Sequence, residues 1–273
     1  MNFLFENQNF QLLEMILGLC LFLFGMNLMG AALERSAGSK LENMIGKLTT
    51  SKFAGLLTGL GVTAVIQSSS ATTVMVVGFV NSGIMKLVNA IGIIMGANVG
   101  TTVTAWIISA IGFKVNIAAF ALPLLAIGVP FIFSSKSSHK SVGEFIFGFS
   151  FLFMGLSYLQ SSAETLNMGQ WVASGLAHFG ASDNFLTIIV FVLVGAMVTM
   201  VVQASAATMA VTLMLFDMNI PGFGFELAAA LAMGQNIGTT ITTNLAAITA
   251  NTQARRAAVA HLLFNVFGVV VIL

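Results

Sequence analysis

The amino-acid sequence predicts an all-α polytopic membrane protein of two inverted-topology repeats, each with a re-entrant helical hairpin and a broken transmembrane helix. Three observations predict it. Of 273 residues, 58% are hydrophobic and only 7% charged, with a mean hydropathy of +0.99. Soluble domains carry roughly 25% charged residues, so composition excludes a soluble fold. The second observation is that one order of landmarks occurs twice along the chain. The third is that polar runs interrupt apolar segments at matched places in the two halves, and polar groups at hydrocarbon depth need partners or a ligand.

The first repeat covers residues 1–140. Residues 11–33 are a first apolar span, followed by an interfacial segment, 34–52, with Arg35, Lys40, Lys47 and Lys52 at roughly helical spacing. Next is a hairpin, 53–80, whose tip is the run Gln67-Ser68-Ser69-Ser70-Ala71-Thr72-Thr73. A broken span, 87–112, is interrupted by Gly-Ala-Asn-Val-Gly-Thr-Thr at 96–102. A span at 115–133 and a loop, SSKSSHK at 134–140, close the repeat. No cleavable leader is expected, because the first ten residues lack a basic region and the apolar run from Leu12 is long enough to stay in the membrane. Cys20 lies alone in an apolar run and reads as a packing residue, so no disulfide framework is expected.

The second repeat, 141–273, follows the same order: a span, an outside loop, a hairpin at 185–216, a broken span at 227–250 and a span at 257–273. GFSFLFMG (148–155) echoes GLCLFLFG (18–25), and Glu164 stands where Glu34 does, both 130 residues on. Gln203 answers Gln67 after 136 residues, and Gly-Gln-Asn-Ile-Gly-Thr-Thr (234–240) answers 96–102 after 138. An offset that grows slowly and never reverses is expected of a duplication with small loop insertions. The chain ends inside the apolar run of its last span, as expected of a truncated or minimal form.

Charge orients the halves. Placing 34–52, Lys86, 134–140 and Arg255-Arg256 in the cytoplasm puts nine of the ten Lys and Arg inside and only Lys114 outside. Each half must then cross an odd number of times, with both termini outside. An odd count follows if 53–80 re-enters: its arms of 14 and about 8 residues are each too short to cross roughly 30 Å of hydrocarbon. Inverted halves with interrupted segments at corresponding positions are a secondary-transporter signature that points to the binding site.

The chemistry of the four polar segments follows from their residue types. Hairpin tips offer backbone N–H groups where a helix restarts, at the positive end of its dipole, which suits an anion. Carbonyls freed where the preceding arm ends suit Na+, as do Gln, Asn and Thr oxygens. The glycine-rich breaks add Asn98, Thr101 and Thr102, then Asn236, Thr239 and Thr240, with glycines that permit unwinding. No Lys, Arg or His lies in these segments, so an anion there would need co-bound cations for neutralisation. No carboxylate lies there either, which argues against a proton relay.

The bland readings are weighed alongside. Ser and Thr at membrane depth often only bond to backbone, and glycines often only permit close packing. Matched runs in both halves weigh against that reading here. The 16 Met residues scatter through the spans as filler. His139 reads as a solvated loop residue and His178 falls in the outside loop. His261 reads as a helix-packing residue rather than a proton relay. No carboxylate pair, His/Cys cluster or Ser-His-Asp ordering supports an enzyme, and a net charge of +1 argues against nucleic acid.

QSSSATT (67–73), GANVGTT (96–102), GQNIGTT (234–240) and ARRAAVAHLLFN (254–265) resemble the motifs of the type II sodium–phosphate cotransporter family, in its bacterial branch, over nearly the whole chain. The resemblance implies Na+-coupled transport of inorganic phosphate by alternating access, with no cofactor besides the coupling ion. It implies phosphate binding by Gln67, Ser68, Ser69, Ser70, Gln203, Ala204, Ser205 and Ala206. It assigns sodium to Gln67, Thr72, Asn98, Thr101, Gln203, Thr208, Asn236 and Thr239. Ala204 and Ala206 stand where that family often has serines; backbone donors survive such a change and hydroxyl ligands do not. The expected setting is a bacterial inner (plasma) membrane, multi-pass, with phosphate, Na+ and the lipid bilayer as partners and a homo-oligomer left open. Two alternatives stand beside this reading: a sodium symporter for another small anion or zwitterion, and a membrane phosphate sensor or scaffold that does not transport.

Overall fold

In a computed structural model, residues 8–47, 51–112, 118–179 and 184–273 are described. Their regular structure is helical throughout: α1 (Gln8–Lys47), α2 (Lys52–Ile66), α3 (Ser69–Asn81), α4 (Leu87–Ile107), α5 (Ala118–Ile132), α6 (Ser137–Thr165), α7 (Met168–Phe179), α8 (Phe185–Val202), α9 (Ser205–Asp217), α10 (Phe225–Ala246) and α11 (Thr252–Ile272). A π-helical turn, Ile108–Gly112, extends α4. Five of these stretches are long and apolar enough to cross a membrane: Phe10–Ser36, Leu87–Ala110, Ser137–Thr165, Phe185–Val202 and Thr252–Ile272. The protein is a multi-pass, all-helical membrane protein.

The described residues fall into two compact units, each drawing on both halves of the sequence. One comprises Met1–Ser36, Ile107–Ile188 and Ala210–Ala228; the other comprises Ala37–Trp106, Ile189–Met209 and Ala229–Leu273.

In the first unit α1 and α6 meet through two glycine pairs. A methyl group on Gly18 would lie 3.0 Å from the Gly155 carbonyl oxygen, and one on Gly25 would lie 2.6 Å from that of Gly148. Residue 18 faces 155 while 25 faces 148, so the helices run antiparallel. These four glycines are the ends of the two echoing octapeptides, so each contact is the repeat image of the other. Small residues are what let two backbones approach this closely. Phe22 is fully buried in the crossing, and Arg35 pairs with Glu144 at its end. Beside it α5 packs on α6, with Gly128 against the Phe147 ring and Gly143 against Ile132.

In the second unit the crossing of α2 with α4 is repeated by that of α8 with α10. A methyl on Gly59 would sit 2.0 Å from the Ile93 carbonyl oxygen, and one on Gly195 would sit 2.3 Å from that of Leu231. A methyl on Gly96 would sit 1.9 Å from the Leu56 carbonyl oxygen, and one on Gly234 would sit 2.0 Å from that of Val192. Gly100 meets Leu60 and Thr63 where Gly238 meets Ala196 and Thr199. Every partner corresponds at the sequence offsets of 136 and 138. Val62, Ile66, Val76, Val80, Ile93 and Ala257 are among the buried residues of this unit's core. At its edge Asn251, the N-cap of α11, accepts from the Ala254 N–H and donates two 2.8 Å hydrogen bonds to Asn81 at the end of α3, from its N–H to Asn81 Oδ1 and from Nδ2 to the Asn81 carbonyl.

Several sequence expectations change. The spans at 87–112 and 227–250 are not broken: α4 and α10 run straight through 96–102 and 234–240. Their glycines serve close approach instead of unwinding. Their threonines bond back to their own helix, Thr101 to the Ala97 carbonyl at 3.3 Å and Thr239 to that of Gln235 at 2.8 Å. The interfacial segment is no separate element, since α1 continues from the apolar span to Lys47 without a proline to stop it. The second arm of the first hairpin has 13 residues rather than about 8. The segment 161–184, expected as an outside loop, contains α7, and the loop at 134–140 is shorter than expected because α6 begins at Ser137, taking His139 into its first turn. Residues 113–117, with Lys114, and residues 180–183, with Asp183, lie outside the described residues.

Candidate functional site

Both polar runs, both glycine-rich segments and the last helix belong to the second unit. The first run is built around a chain reversal. α2 starts at Ser51, whose hydroxyl accepts from the Ala54 N–H, and ends at Gln67 in the left-handed conformation, φ 56° and ψ 25°. The Gln67 N–H donates to the Thr63 carbonyl at 2.8 Å and closes the last turn. Ser68 is extended, and its hydroxyl accepts from the Ala71 N–H at 3.2 Å as the N-cap of α3. Thr63 then donates its hydroxyl to that of Thr72 at 3.0 Å. Nine residues along an unbroken helix span about 13.5 Å, so this bond requires α3 to fold back along α2.

The second run repeats the backbone. Gln203 is left-handed at φ 55°, its N–H donates to the Thr199 carbonyl at 2.8 Å, and Thr208 N–H reaches the Ala204 carbonyl at 3.2 Å, as Thr72 N–H reaches that of Ser68. Left-handed backbone at a residue other than glycine costs on the order of 1 kcal/mol or more and clusters at binding sites. Both turns are followed by a fresh helix start, where the first N–H groups have no intrahelical acceptor. Side chains differ where backbones agree. Gln67, Ser68 and Ser70 are half-buried and Ser69 is buried, whereas Gln203 is exposed, Ala204 and Ser205 are half-buried and Ala206 is buried. Thr72 and Thr208 are both buried, and each donates to the carbonyl four residues back. Thr199, at the position of Thr63, is fully buried, and its hydroxyl has no hydrogen-bond partner among the described residues.

Two connections tie the first run to the glycine-rich helices. Thr73 lies 2.8 Å, hydroxyl to hydroxyl, from Thr243 on α10, and Thr243 lies 3.2 Å from His261 Nδ1 on α11. Thr73 also donates to the Ser70 carbonyl at 3.1 Å, so a buried polar chain leads from His261 to the tip. On α4, Asn98 donates through Nδ2 to Asn265 Oδ1 at 2.9 Å. Asn236 is half-buried on α10. Thr63, Thr73, Thr199, Thr243 and Asn265 were not among the residues assigned from sequence. The signal for Asn265 was present, because an amide inside an apolar span needs a reason.

A polar cavity of about 310 Å³ in the first unit is lined by Gln160, Ser161, Glu164, Met214, Asp217 and Met218. Its acidic lining is unsuited to an anion and includes none of the sequence-assigned residues. No group of three or more His, Cys, Asp or Glu capable of holding a metal occurs among the described residues.

Comparison with known proteins agrees with the motifs. An uncharacterized protein, YqeW, of Bacillus subtilis is 32% identical over 252 residues, covering 92% of this chain and 78% of that protein. A protein of Escherichia coli named "Putative inorganic phosphate export protein YjbB" is 28% identical over 263 residues, covering 96% of this chain and 46% of that one. Mouse sodium-dependent phosphate transport protein 2A is 38% identical over 98 residues, 35% of this chain and 15% of its own. The chain thus spans under half the length of the Escherichia coli relative. No solved structure matches. None of these relatives is named as an enzyme. The sequence pattern of the Na+/Pi-cotransporters matches residues 21–161. The chain belongs to the Na+/Pi-cotransporter family.

Proposed function

We propose that this protein is a secondary active transporter that carries inorganic phosphate by sodium-coupled symport with alternating access. The observation that carries the proposal is the pair of matched left-handed turns at Gln67 and Gln203, each followed by a fresh helix start. In this reading the two turns are the tips of re-entrant hairpins near the bilayer midplane. Phosphate binds between them, to backbone N–H groups and to the side chains of Gln67, Ser68, Ser69, Ser70, Gln203 and Ser205. At Ala204 and Ala206 only the backbone contributes. Sodium takes oxygens from Gln67, Thr72, Asn98, Thr101, Gln203, Thr208, Asn236 and Thr239, and supplies the positive charge that the segments lack.

Inverted topology is supported by the antiparallel α1–α6 crossing, in which corresponding glycines exchange places. The short arms of the first hairpin, 15 and 13 residues, support re-entry, and the basic segments then place both termini outside. The relatives' printed names support phosphate as substrate. Export in one such name and sodium dependence in another are compatible, because a symporter runs whichever way its gradients set.

Uptake of labelled phosphate into proteoliposomes tests the proposal. Uptake is expected to require an inward Na+ gradient, to stop when choline replaces Na+, and to be abolished in Gln67→Ala and Gln203→Ala. Uptake indifferent to Na+ would remove the coupling. Sodium-driven uptake of another anion in place of phosphate would favour the symporter alternative, and saturable phosphate binding without uptake would favour a sensor.

A further inference from the structure

Asn265 lies one turn beyond His261 on the buried face of α11, with 4% of its surface exposed. Its Nδ2 donates to the His261 carbonyl at 2.9 Å, while its Oδ1 accepts from Asn98 Nδ2 at 2.9 Å. The amide orientations in this pair are set by chemistry. A backbone carbonyl can only accept, so the group that Asn265 turns toward His261 must be its NH2. Its oxygen is therefore the atom facing α4, and Asn98 must answer with its own NH2. Asn98 is left with its amide oxygen directed away from Asn265, on a helix held in register by Gly96 and Gly100.

We infer that Asn265 is a positioning residue that locks the Asn98 amide with its oxygen presented as a ligand for a cation. The inference rests on the sodium-coupled reading above and adds to it how one half-buried amide is committed to a cation over an anion. Without the lock the two orientations of the Asn98 amide compete, and the one presenting NH2 repels Na+. The lock also links α11 to α4 at the glycine-rich segment, so it acts at the sodium side of the site and leaves phosphate donors on α3 and α9 untouched.

The test measures labelled phosphate uptake in proteoliposomes against Na+ concentration and, separately, against phosphate at saturating Na+. Asn265→Leu is expected to raise the Na+ concentration for half-maximal rate by roughly three- to tenfold, the bias one neutral hydrogen bond supplies. The phosphate KM and maximal rate at saturating Na+ stay within about twofold of native. Asn265→Asp, assayed at a pH where its carboxyl is protonated, keeps a donor for the His261 carbonyl and an acceptor for Asn98 Nδ2, and keeps the native Na+ dependence. Asn98→Ala raises the Na+ midpoint at least as far, and adding Asn265→Leu to it produces no further shift, because the second residue acts only through the first. Asn265→Ala replaces the leucine variant if leucine prevents folding.

Three results would overturn the assignment: an unmoved Na+ midpoint, a shift shared equally by the phosphate KM, or a shift that adds to that of Asn98→Ala. If the native chain shows no Na+ dependence, the sodium reading itself fails. Native Na+ dependence with unmoved variants removes only the role of Asn265.

Discussion

Thr63 donates its hydroxyl to Thr72 across the first chain reversal at 3.0 Å, whereas Thr199, its counterpart in the second half, is fully buried with a hydroxyl that has no partner among the described residues. The backbone hydrogen bonds around the two correspond one for one, yet their side-chain partnerships differ. This asymmetry has a measurable consequence. Thr63→Val removes a hydrogen bond that holds two hairpin arms together and should destabilise the protein by about 1–2 kcal/mol. Thr199→Val replaces an unsatisfied hydroxyl with an isosteric methyl and should be neutral or stabilising by up to about 1 kcal/mol. Thermal unfolding in detergent measures both. If Thr199→Val is as destabilising as Thr63→Val, its hydroxyl has a structural partner. If Thr199→Val stabilises and yet slows uptake, the hydroxyl serves a transported species.

Gln67 and Gln203 separate backbone from side-chain roles. Gln67→Gly fits a φ of 56° with less strain, so folding stability should hold within about 1 kcal/mol while phosphate uptake falls steeply. Gln67→Val puts a β-branched residue in the left-handed region and should lower stability as well. Unfolding temperature and uptake, read together on both variants and on their Gln203 equivalents, check this.

Close glycine contacts should tolerate no methyl group. Gly96→Ala and Gly234→Ala push a Cβ to within 1.9 and 2.0 Å of a carbonyl oxygen on the neighbouring helix, and should destabilise by about 1–3 kcal/mol or prevent folding. Gly61→Ala on α2 and Gly78→Ala on α3 meet nothing within 4 Å and should be neutral or stabilising by up to about 1 kcal/mol through helix propensity. Expression level and unfolding temperature distinguish the pairs. Equal effects at all four sites would mean that helix propensity and not packing decides.

The chain from His261 through Thr243 and Thr73 to the Ser70 carbonyl should behave as one network. Thr73→Val and Thr243→Val each leave a buried partner without its bond and should destabilise by about 1–3 kcal/mol. The double variant should lose less than the sum, by about 1 kcal/mol, since the shared bond can be lost only once. Strict additivity in a double-mutant cycle would show that the hydroxyls are not coupled.

How much of this was legible in the sequence varied with the kind of signal. The two helix breaks are marked by polar residues between apolar arms, and Gln67 and Gln203 are where the helices end. The glycine signal is two-sided, and the structure uses the side that sequence does not select. Gly96, Gly100, Gly234 and Gly238 are permissive both for unwinding and for close approach, and sequence spacing cannot tell which is used until the neighbouring backbone is known. His261 and Asn265 stood at helical spacing on an apolar span, but their partners are Thr243 and Asn98, too distant along the chain for periodicity to pair them.

The sequence by itself determined that the chain is a multi-pass helical membrane protein with a duplicated order of elements. Hydropathy sets what can lie in lipid, and backbone groups in lipid must be satisfied within helices. Tertiary structure decided which residues act together. It left α4 and α10 unbroken by pressing their glycines against α2 and α8. It also distributed both halves over two compact units, so that the polar runs and Asn98 share one of them. The physical reason is that packing and hydrogen bonding depend on distances between segments far apart in the chain, which local composition does not encode.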